Sequence, residues 1–265
     1  MSTGIESAGA RLVLNIYIGL FMLYLFLPLA VMSAAAFNAF DYPSVTQWRG
    51  FTLKWFVALA HDQRLLQGLV NSVLVALGVI AVSIPAGLSG ALILTRLGQR
   101  SGTVLYSVLV SPVLTPGIIL GISSLIFWRE FGVPGGLFVA VMAQSSFIAS
   151  YAMLLFLARL QRQDRTLEEA ALDLGASHML MFRRITLPFL APTCFTAAVV
   201  AFLQSFENFN TTVFAIGGEW TLVTEIASRL RFGLSPVINV VGVIFVVLTL
   251  IAAVTYVLLK TKPSR

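Results

Sequence analysis

The chain has 265 residues, of which 58% are apolar and only 11% charged, with a mean hydropathy of +0.93. Soluble domains carry roughly 25% charged residues, so these proportions exclude an ordinary soluble fold, and they exclude disorder, which goes with few large apolar side chains. One cysteine, Cys194, leaves no basis for a disulfide scaffold or a thiolate zinc site. The net charge of +6 fits the Lys/Arg excess of cytoplasmic loops in a membrane protein better than a nucleic-acid surface, since no basic stripe accompanies it.

A membrane-crossing helix needs about 20 predominantly apolar residues. Six stretches qualify, at residues 12–37, 68–95, 104–127, 133–158, 189–215 and 236–259. They are too long and too uniformly apolar for barrel strands, which alternate over about 10 residues. The expected fold is an all-α membrane protein of six transmembrane helices forming one domain, 1–265. The first stretch ends in Ala34-Ala35-Ala36, as a cleaved signal peptide does, but its apolar run exceeds the usual 7–15 residues, so a retained helix is expected. With both termini in the cytoplasm, the inner segments carry Arg11, Arg96, Arg100, Arg159, Arg162, Arg165, Arg183, Arg184, Lys260, Lys262 and Arg265. The outer segments then carry Arg49, Lys54, Arg64, Arg129, Arg229 and Arg231. The excess on the inner side supports this orientation.

Two connections stand out. Residues 38–67 hold Trp48, Trp55 and Phe56, which suit a short helix at the outer interface. Residues 159–188 are the most polar part of the chain, with Asp164, Glu168, Glu169 and Asp173 beside five arginines. Thr166 and Glu169 have the spacing of a capping box, which predicts a helix start at that point. Gly175 ends that helix in the left-handed conformation, and Ser177 caps a second short helix with Arg183 and Arg184 at its C-terminal end. Pro188 opens the fifth span. Leu172, Leu174, Met179, Leu180 and Met181 give this charged loop an apolar component that wants a partner, either the bundle or another protein.

Glu169-Ala170-Ala171, three residues, Gly175, nine residues, Ile185, one residue, Leu187-Pro188 resembles the EAA loop of ABC importer permeases, in its expected place before the penultimate span. The resemblance implies a type I ABC importer permease fold with a cytoplasmic coupling helix. That helix, with Glu169, Ala170, Ala171, Leu172, Gly175, Ala176 and Ser177, docks in a groove of a partner ATPase. Leu27-Pro28, Phe37-Asn38, Gly50-Phe51-Thr52, Lys54-Trp55-Phe56, Asn71-Ser72, Ser111-Pro112 and Phe232-Gly233-Leu234-Ser235-Pro236 extend the likeness to the second permease subunit of the spermidine/putrescine-type branch. By that resemblance the partners are an ATPase dimer, a second permease subunit, an extracytoplasmic binding protein and the bilayer. ATP and Mg belong to the ATPases, and this chain has no cofactor. The location is the inner membrane.

Polar groups inside a span mark a path or a buried pair. Gln204, Glu207 and Asn208, at i, i+3 and i+4, are expected on one helix face, continued by Thr211. That face is a candidate solute path. Alternatively Glu207 pairs with Arg229 or Arg231, or sits at the outer interface. Near Ser111-Pro112-Val113-Leu114-Thr115-Pro116-Gly117 two prolines remove backbone donors, so either Thr115 and freed carbonyls line the path or the helix is simply kinked. Polyamine permeases tend to have two adjacent acids where this chain has Glu207-Asn208, and an acid after the Ser-Pro where it has Val237. A monocation, a zwitterion or a neutral polar solute therefore suits the residues as well as a polyamine does.

Other patterns carry little. Asn210-Thr211-Thr212 is a glycosylation sequon lying inside an apolar span, Gly87-x-x-Gly90 lacks the spacing of the helix-dimer motif, and His61 and His178 stand far apart with no acidic cluster. No phosphate-binding Gly-x-x-x-x-Gly-Lys run is present. An ion-gradient-driven secondary transporter would need discontinuous spans in two corresponding halves, and only 111–117 offers one. A membrane enzyme would need clustered catalytic groups, which the sequence lacks.

Overall fold

A computed structural model describes residues 8–232 and 235–260. Gly233 and Leu234 of the 232–236 signature, and Lys262 and Arg265 of the charge bias, lie outside the described residues. Among the described residues twelve α-helices follow one another: α1 (Ala8–Ala36), α2 (Lys54–Ala60), α3 (Gln63–Leu94), α4 (Gln99–Leu114), α5 (Gly117–Glu130), α6 (Leu137–Leu160), α7 (Arg165–Asp173), α8 (His178–Met181), α9 (Leu187–Phe206), α10 (Thr212–Ala215), α11 (Leu222–Phe232) and α12 (Val237–Lys260). A π-helical turn, Phe182–Thr186, joins α8 to α9. Among the described residues five helical segments are long and apolar enough to cross a membrane, and the pair α4–α5, bent by 102°, makes a sixth when taken as one broken span. The predicted third span is therefore broken rather than straight. Pro116 is the N-cap of α5 and cannot donate to the turn before it, so the helical ladder stops at Thr115.

The chain forms two compact units, one of the residues up to Gln63 together with those from Ile226 onward, the other of Arg64–Glu225. In the first, α1 packs along α12, and Gly242 leaves the room that the Met32 side chain occupies. Ala36, Val240 and Val243 form its buried centre with Phe37, Trp55, Phe56 and Leu59 around them. The connection after α1 is organised by the buried Asn38. Its amide donates to Ser44 O (2.7 Å) and Gln47 O (2.9 Å), and its Oδ1 accepts from Phe40 N (3.2 Å) and Arg49 N (3.0 Å). One side chain thus satisfies four backbone groups of a segment that has almost no regular structure of its own. The short helix expected here is α2, which contains Trp55 and Phe56, and Trp55 Nε1 donates to Asn38 O at 2.8 Å. Lys54 donates to Asp41 at 2.9 Å and holds that carboxyl below the usual carboxylate range.

In the second unit α6 is the central element, contacting α4, α5, α9 and α10. Val139, Ala140, Ala143, Gln144, Ile148, Ala152, Met153 and Phe156 recur along its buried side at helical spacing. Between membrane helices lipid is as apolar as leucine, so close packing and hydrogen bonds have to do the work of water exclusion. Gly87 of α3 shows the packing term. A Cβ there would lie 2.7 Å from Ala149 O, the Ala152 Cβ and Met153 N, so the backbones of α3 and α6 touch because this side chain is absent. Ser150 Oγ donates to Leu109 O at 2.6 Å and ties α6 to α4.

Candidate functional site

The loop at 159–188 starts α7 two residues earlier than the capping-box spacing predicts. Asp164, not Thr166, is the N-cap: its Oδ1 accepts from Thr166 N (3.0 Å) and Thr166 Oγ1 (2.8 Å). The carboxylate makes both bonds and is the better acceptor at a helix N-terminus. These bonds hold the Asp164 carboxyl below the ordinary range, the Thr166 backbone N–H contributing most. Leu174 N and Gly175 N close the C-terminal end onto Ala170 O and Leu172 O, and Gly175 takes φ +84, the left-handed conformation predicted for it. Ser177 caps α8 by accepting from Leu180 N at 3.3 Å. The second short helix does not end at Arg183 and Arg184. It runs through the π-turn into α9, so residues 178–206 make one continuous apolar segment.

Within this loop the two adjacent acids are used differently. Glu169 is exposed, whereas Glu168 turns inward and its Oε1 accepts from Gln163 Nε2 and Thr186 Oγ1, each at 2.9 Å. Nothing in the local sequence separates Glu168 from Glu169, because the contact to Thr186 spans 18 residues. A groove of about 580 Å³ lies beside them, lined among others by Thr95, Arg96, Gln163, Glu168, Glu169 and Leu172. Ala170 is exposed, Ala171 and Ala176 are half-buried, and past the glycine Leu174 (89% exposed), Met179 and Leu180 point outward. The loop thus presents short side chains and an acid on α7, and large apolar side chains at the turn.

The fifth span also breaks. Helix α9 ends at Phe206 with Glu207 as its C-cap, and a non-helical stretch runs to α10. The single helical face expected for Gln204, Glu207, Asn208 and Thr211 is therefore not formed. Gln204 is helical and half-buried, Glu207 is exposed, and Asn208 turns back so that its Oδ1 accepts from Thr211 N at 3.1 Å. Thr211 is fully buried. The break persists because Gln144, itself fully buried, holds both of its sides: Ser205 Oγ donates to Gln144 Oε1 (2.6 Å), and Gln144 Nε2 donates to Thr212 Oγ1 (2.7 Å). Irregular backbone at membrane depth survives only where its polar groups find protein or a cavity, and here Asn208 Oδ1 accepts from Thr211 N while Thr212 Oγ1 donates to Asn208 O. Gln144 was not singled out by the sequence, since a lone glutamine in an apolar run carries no pattern.

The two breaks meet. A Cβ on Gly117, the first residue of α5, would lie 2.8 Å from Thr211 Oγ1 and 3.3 Å from the Asn210 Cβ. Gly117 and Gly121 thus let α5 rest on the non-helical stretch of the fifth span. Thr115 donates to Ser111 O at 3.0 Å and stands half-buried at the bend. Among the described residues Glu207 makes no ion pair, and Arg229 is engaged with Asp62 through two bonds of 2.5 and 2.9 Å.

The segment 216–225 is fastened by long-range polar contacts. Glu219 accepts from Leu137 N at 2.5 Å and so caps α6 across 82 residues. Asn71 Nδ2 donates to Trp220 O (2.8 Å), Ser72 Oγ accepts from Leu222 N (2.9 Å), and Arg64 pairs with the buried Glu225 at 3.1 Å.

Five apolar helices of membrane-crossing length, the bent α4–α5 pair and a loop turned on a left-handed glycine are the architecture of a multi-pass membrane protein. The chain belongs to the family described as Binding-protein-dependent transport system inner membrane component, which it matches over residues 83–264. It is the permease subunit of an ABC importer, a multi-pass inner-membrane transport protein and not an enzyme, and its resemblance to the spermidine/putrescine-type branch holds. Among its relatives, the putrescine transport system permease protein PotI of Escherichia coli (strain K12) is 28% identical, covering 82% of this chain and 79% of that one. The spermidine/putrescine transport system permease protein PotC of the same strain is 27% identical, with 91% of each chain covered. A PotC homolog of Mycoplasma pneumoniae is 31% identical, over 72% of this chain and 68% of its own. Among solved structures, a bacterial ABC transporter for the acidic polysaccharide alginate matches 99% of this chain and 100% of its own with a TM-score of 0.70 at 17% identity. The MetNI methionine ABC transporter in inward-facing form matches 80% of this chain and 100% of its own with a TM-score of 0.55 at 21% identity. These two structures support the type I permease fold. The ion-driven alternative is not favoured.

Proposed function

We propose that residues 1–265 work as one permease domain that moves a small amine-bearing solute of polyamine-like chemistry. The observation that carries the solute class is Glu207: an exposed carboxylate as the C-cap of α9. Helix C-termini carry partial negative charge, so carboxylate and dipole favour a cation at the same point. The names of the relatives as putrescine and spermidine permeases agree with that chemistry. Gln204 and Thr115 would add hydrogen-bond acceptors, and Asn208 and Thr211 would hold the break that exposes Glu207. With one acid here, a short diamine or a zwitterion is a better match than a longer polyamine.

In this reading the chain pairs with a different second permease subunit. Glu169, Ala170, Ala171, Leu172, Gly175, Ala176 and Ser177 form the surface that docks on an ATPase dimer, and ATP and Mg bind there and not to this chain. Both termini face the cytoplasm, and a binding protein delivers the solute on the outer face to residues 38–67 and 216–235. Importers of this kind are two-state, and nucleotide acts by differential contact with the two arrangements.

The test is ATP-dependent uptake of radiolabelled putrescine into proteoliposomes holding this chain with the proteins that co-purify with it. Competition by excess unlabelled spermidine and by a neutral polyol reads the solute class. Uptake that needs ATP and is competed by amines alone supports the reading. Uptake driven by an ion gradient without ATP, or competition by the polyol alone, refutes it.

A further inference from the structure

We propose that Glu168 is a positioning residue that locks the coupling helix α7 to the base of the span α9, so that the two move as one body; this rests on the docking role proposed above for the same loop. Helix α7 is mostly exposed, and an exposed nine-residue helix has little stability of its own. A pull on it reaches the membrane only through contacts that resist. Glu168 supplies such contacts. Its Oε1 takes a hydrogen bond from Thr186 Oγ1 in the π-turn at the foot of α9 and another from Gln163 Nε2 in the segment after α6. Thr186 is buried, and its hydroxyl also lies 3.5 Å from the Met181 sulfur, which is buried too. One carboxylate oxygen therefore joins three segments: the exit of α6, the coupling helix and the start of α9.

The partition between the neighbouring acids follows from helix geometry. Successive residues point about 100° apart on an α-helix, so with Glu168 turned to Thr186, Glu169 is left facing outward. The site of action is also the π-turn, where the extra residue per turn leaves the ladder of α9 locally irregular. Without the carboxylate, α7 would keep its docking face but shift relative to α9 when the ATPases close.

The experiment uses the full importer purified through this chain, with spin labels at Asp173→Cys on α7 and Leu203→Cys on α9 in a Cys194→Ser background. The 173–203 distance is measured without nucleotide and with a non-hydrolysable ATP analogue, together with co-purification of the ATPase. In the otherwise native chain the distance should be the same in both conditions. In E168A and in T186V the ATPase should still co-purify, but the distance should shift or broaden with the analogue. The double variant E168A/T186V should behave like E168A alone, because T186V removes one of the two contacts that E168A removes. E168Q, whose amide oxygen still accepts both bonds, should restore the native distance. Loss of the ATPase in E168A would assign Glu168 to the docking face and overturn the inference, as would an unchanged distance in E168A and T186V. Absence of any ATPase from the native chain would overturn the docking reading itself and the inference with it.

Discussion

Gln144 on α6 donates to Thr212 on α10 across 2.7 Å while accepting from Ser205 on α9 at 2.6 Å, so one buried amide spans the interruption of the fifth transmembrane segment. Hydrogen bonds between membrane helices are worth about 0.6 kcal/mol on average and up to about 1.7 kcal/mol. Replacing Gln144 by leucine removes two of them and leaves the buried Ser205 hydroxyl without that partner, while Thr212 keeps its bond to Asn208 O. The importer carrying Gln144→Leu should lose about 1–3 kcal/mol of stability and melt earlier in detergent. An unchanged melting temperature would mean that the backbone alone maintains the break.

Gly175 holds φ +84 with open space around its missing side chain. Alanine at this position meets no neighbour but must enter a conformation that costs about 1 kcal/mol or more. Proline cannot adopt it at all. Membrane insertion should be normal for both, ATPase co-purification should weaken for Gly175→Ala, and it should be abolished along with uptake for Gly175→Pro. Normal uptake by Gly175→Pro would remove the turn from the coupling surface.

Gly87 sits against the backbone of α6, and Gly19 in α1 faces open space. Gly87→Ala should force α3 and α6 apart and cost about 1–3 kcal/mol, as overpacking does. Gly19→Ala should be neutral in a fluorescence-detected size-exclusion melt. Equal behaviour of the two variants would contradict the close approach of α3 and α6.

Uptake against pH in Glu207→Gln addresses the path. If the carboxylate meets an amine, apparent affinity for putrescine should fall by about tenfold or more, which is about 1.4 kcal/mol. An affinity and rate equal to those of the native protein would take Glu207 out of the path.

Asp164 caps α7, and the bonds from Thr166 lower its pKa below the ordinary 3.8. A lowered folded pKa means that the cap is fully present above the ordinary carboxylate range and is lost as pH falls through the lower, folded value. Hydrogen exchange at the Thr166 amide should therefore be protected at neutral pH and lose that protection only in strong acid. Asp164→Asn should retain the protection without the pH dependence, and Asp164→Ala should lack it at every pH.

A membrane protein, the approximate positions of its apolar helices and the two-helix loop at 159–188 were legible in the sequence, because each rests on local chemistry. Twenty apolar residues in a row can only be solvated by lipid or protein, and a glycine after a capped helix can only turn in a few ways. Gly175 and Ser177 act as their neighbours in the chain predict. The contacts that shape the rest are distant in sequence and were decided by tertiary structure. Whether Glu168 or Glu169 turns inward depends on Thr186, the break after Phe206 depends on Gln144 in another helix, and the N-terminus of α6 waits for Glu219. A periodic pattern continues through 207–211 as though the helix did, since the residues are compatible with one. Only the partners brought by α5 and α6, chiefly Gly117 and Gln144, make the unwound backbone the better state.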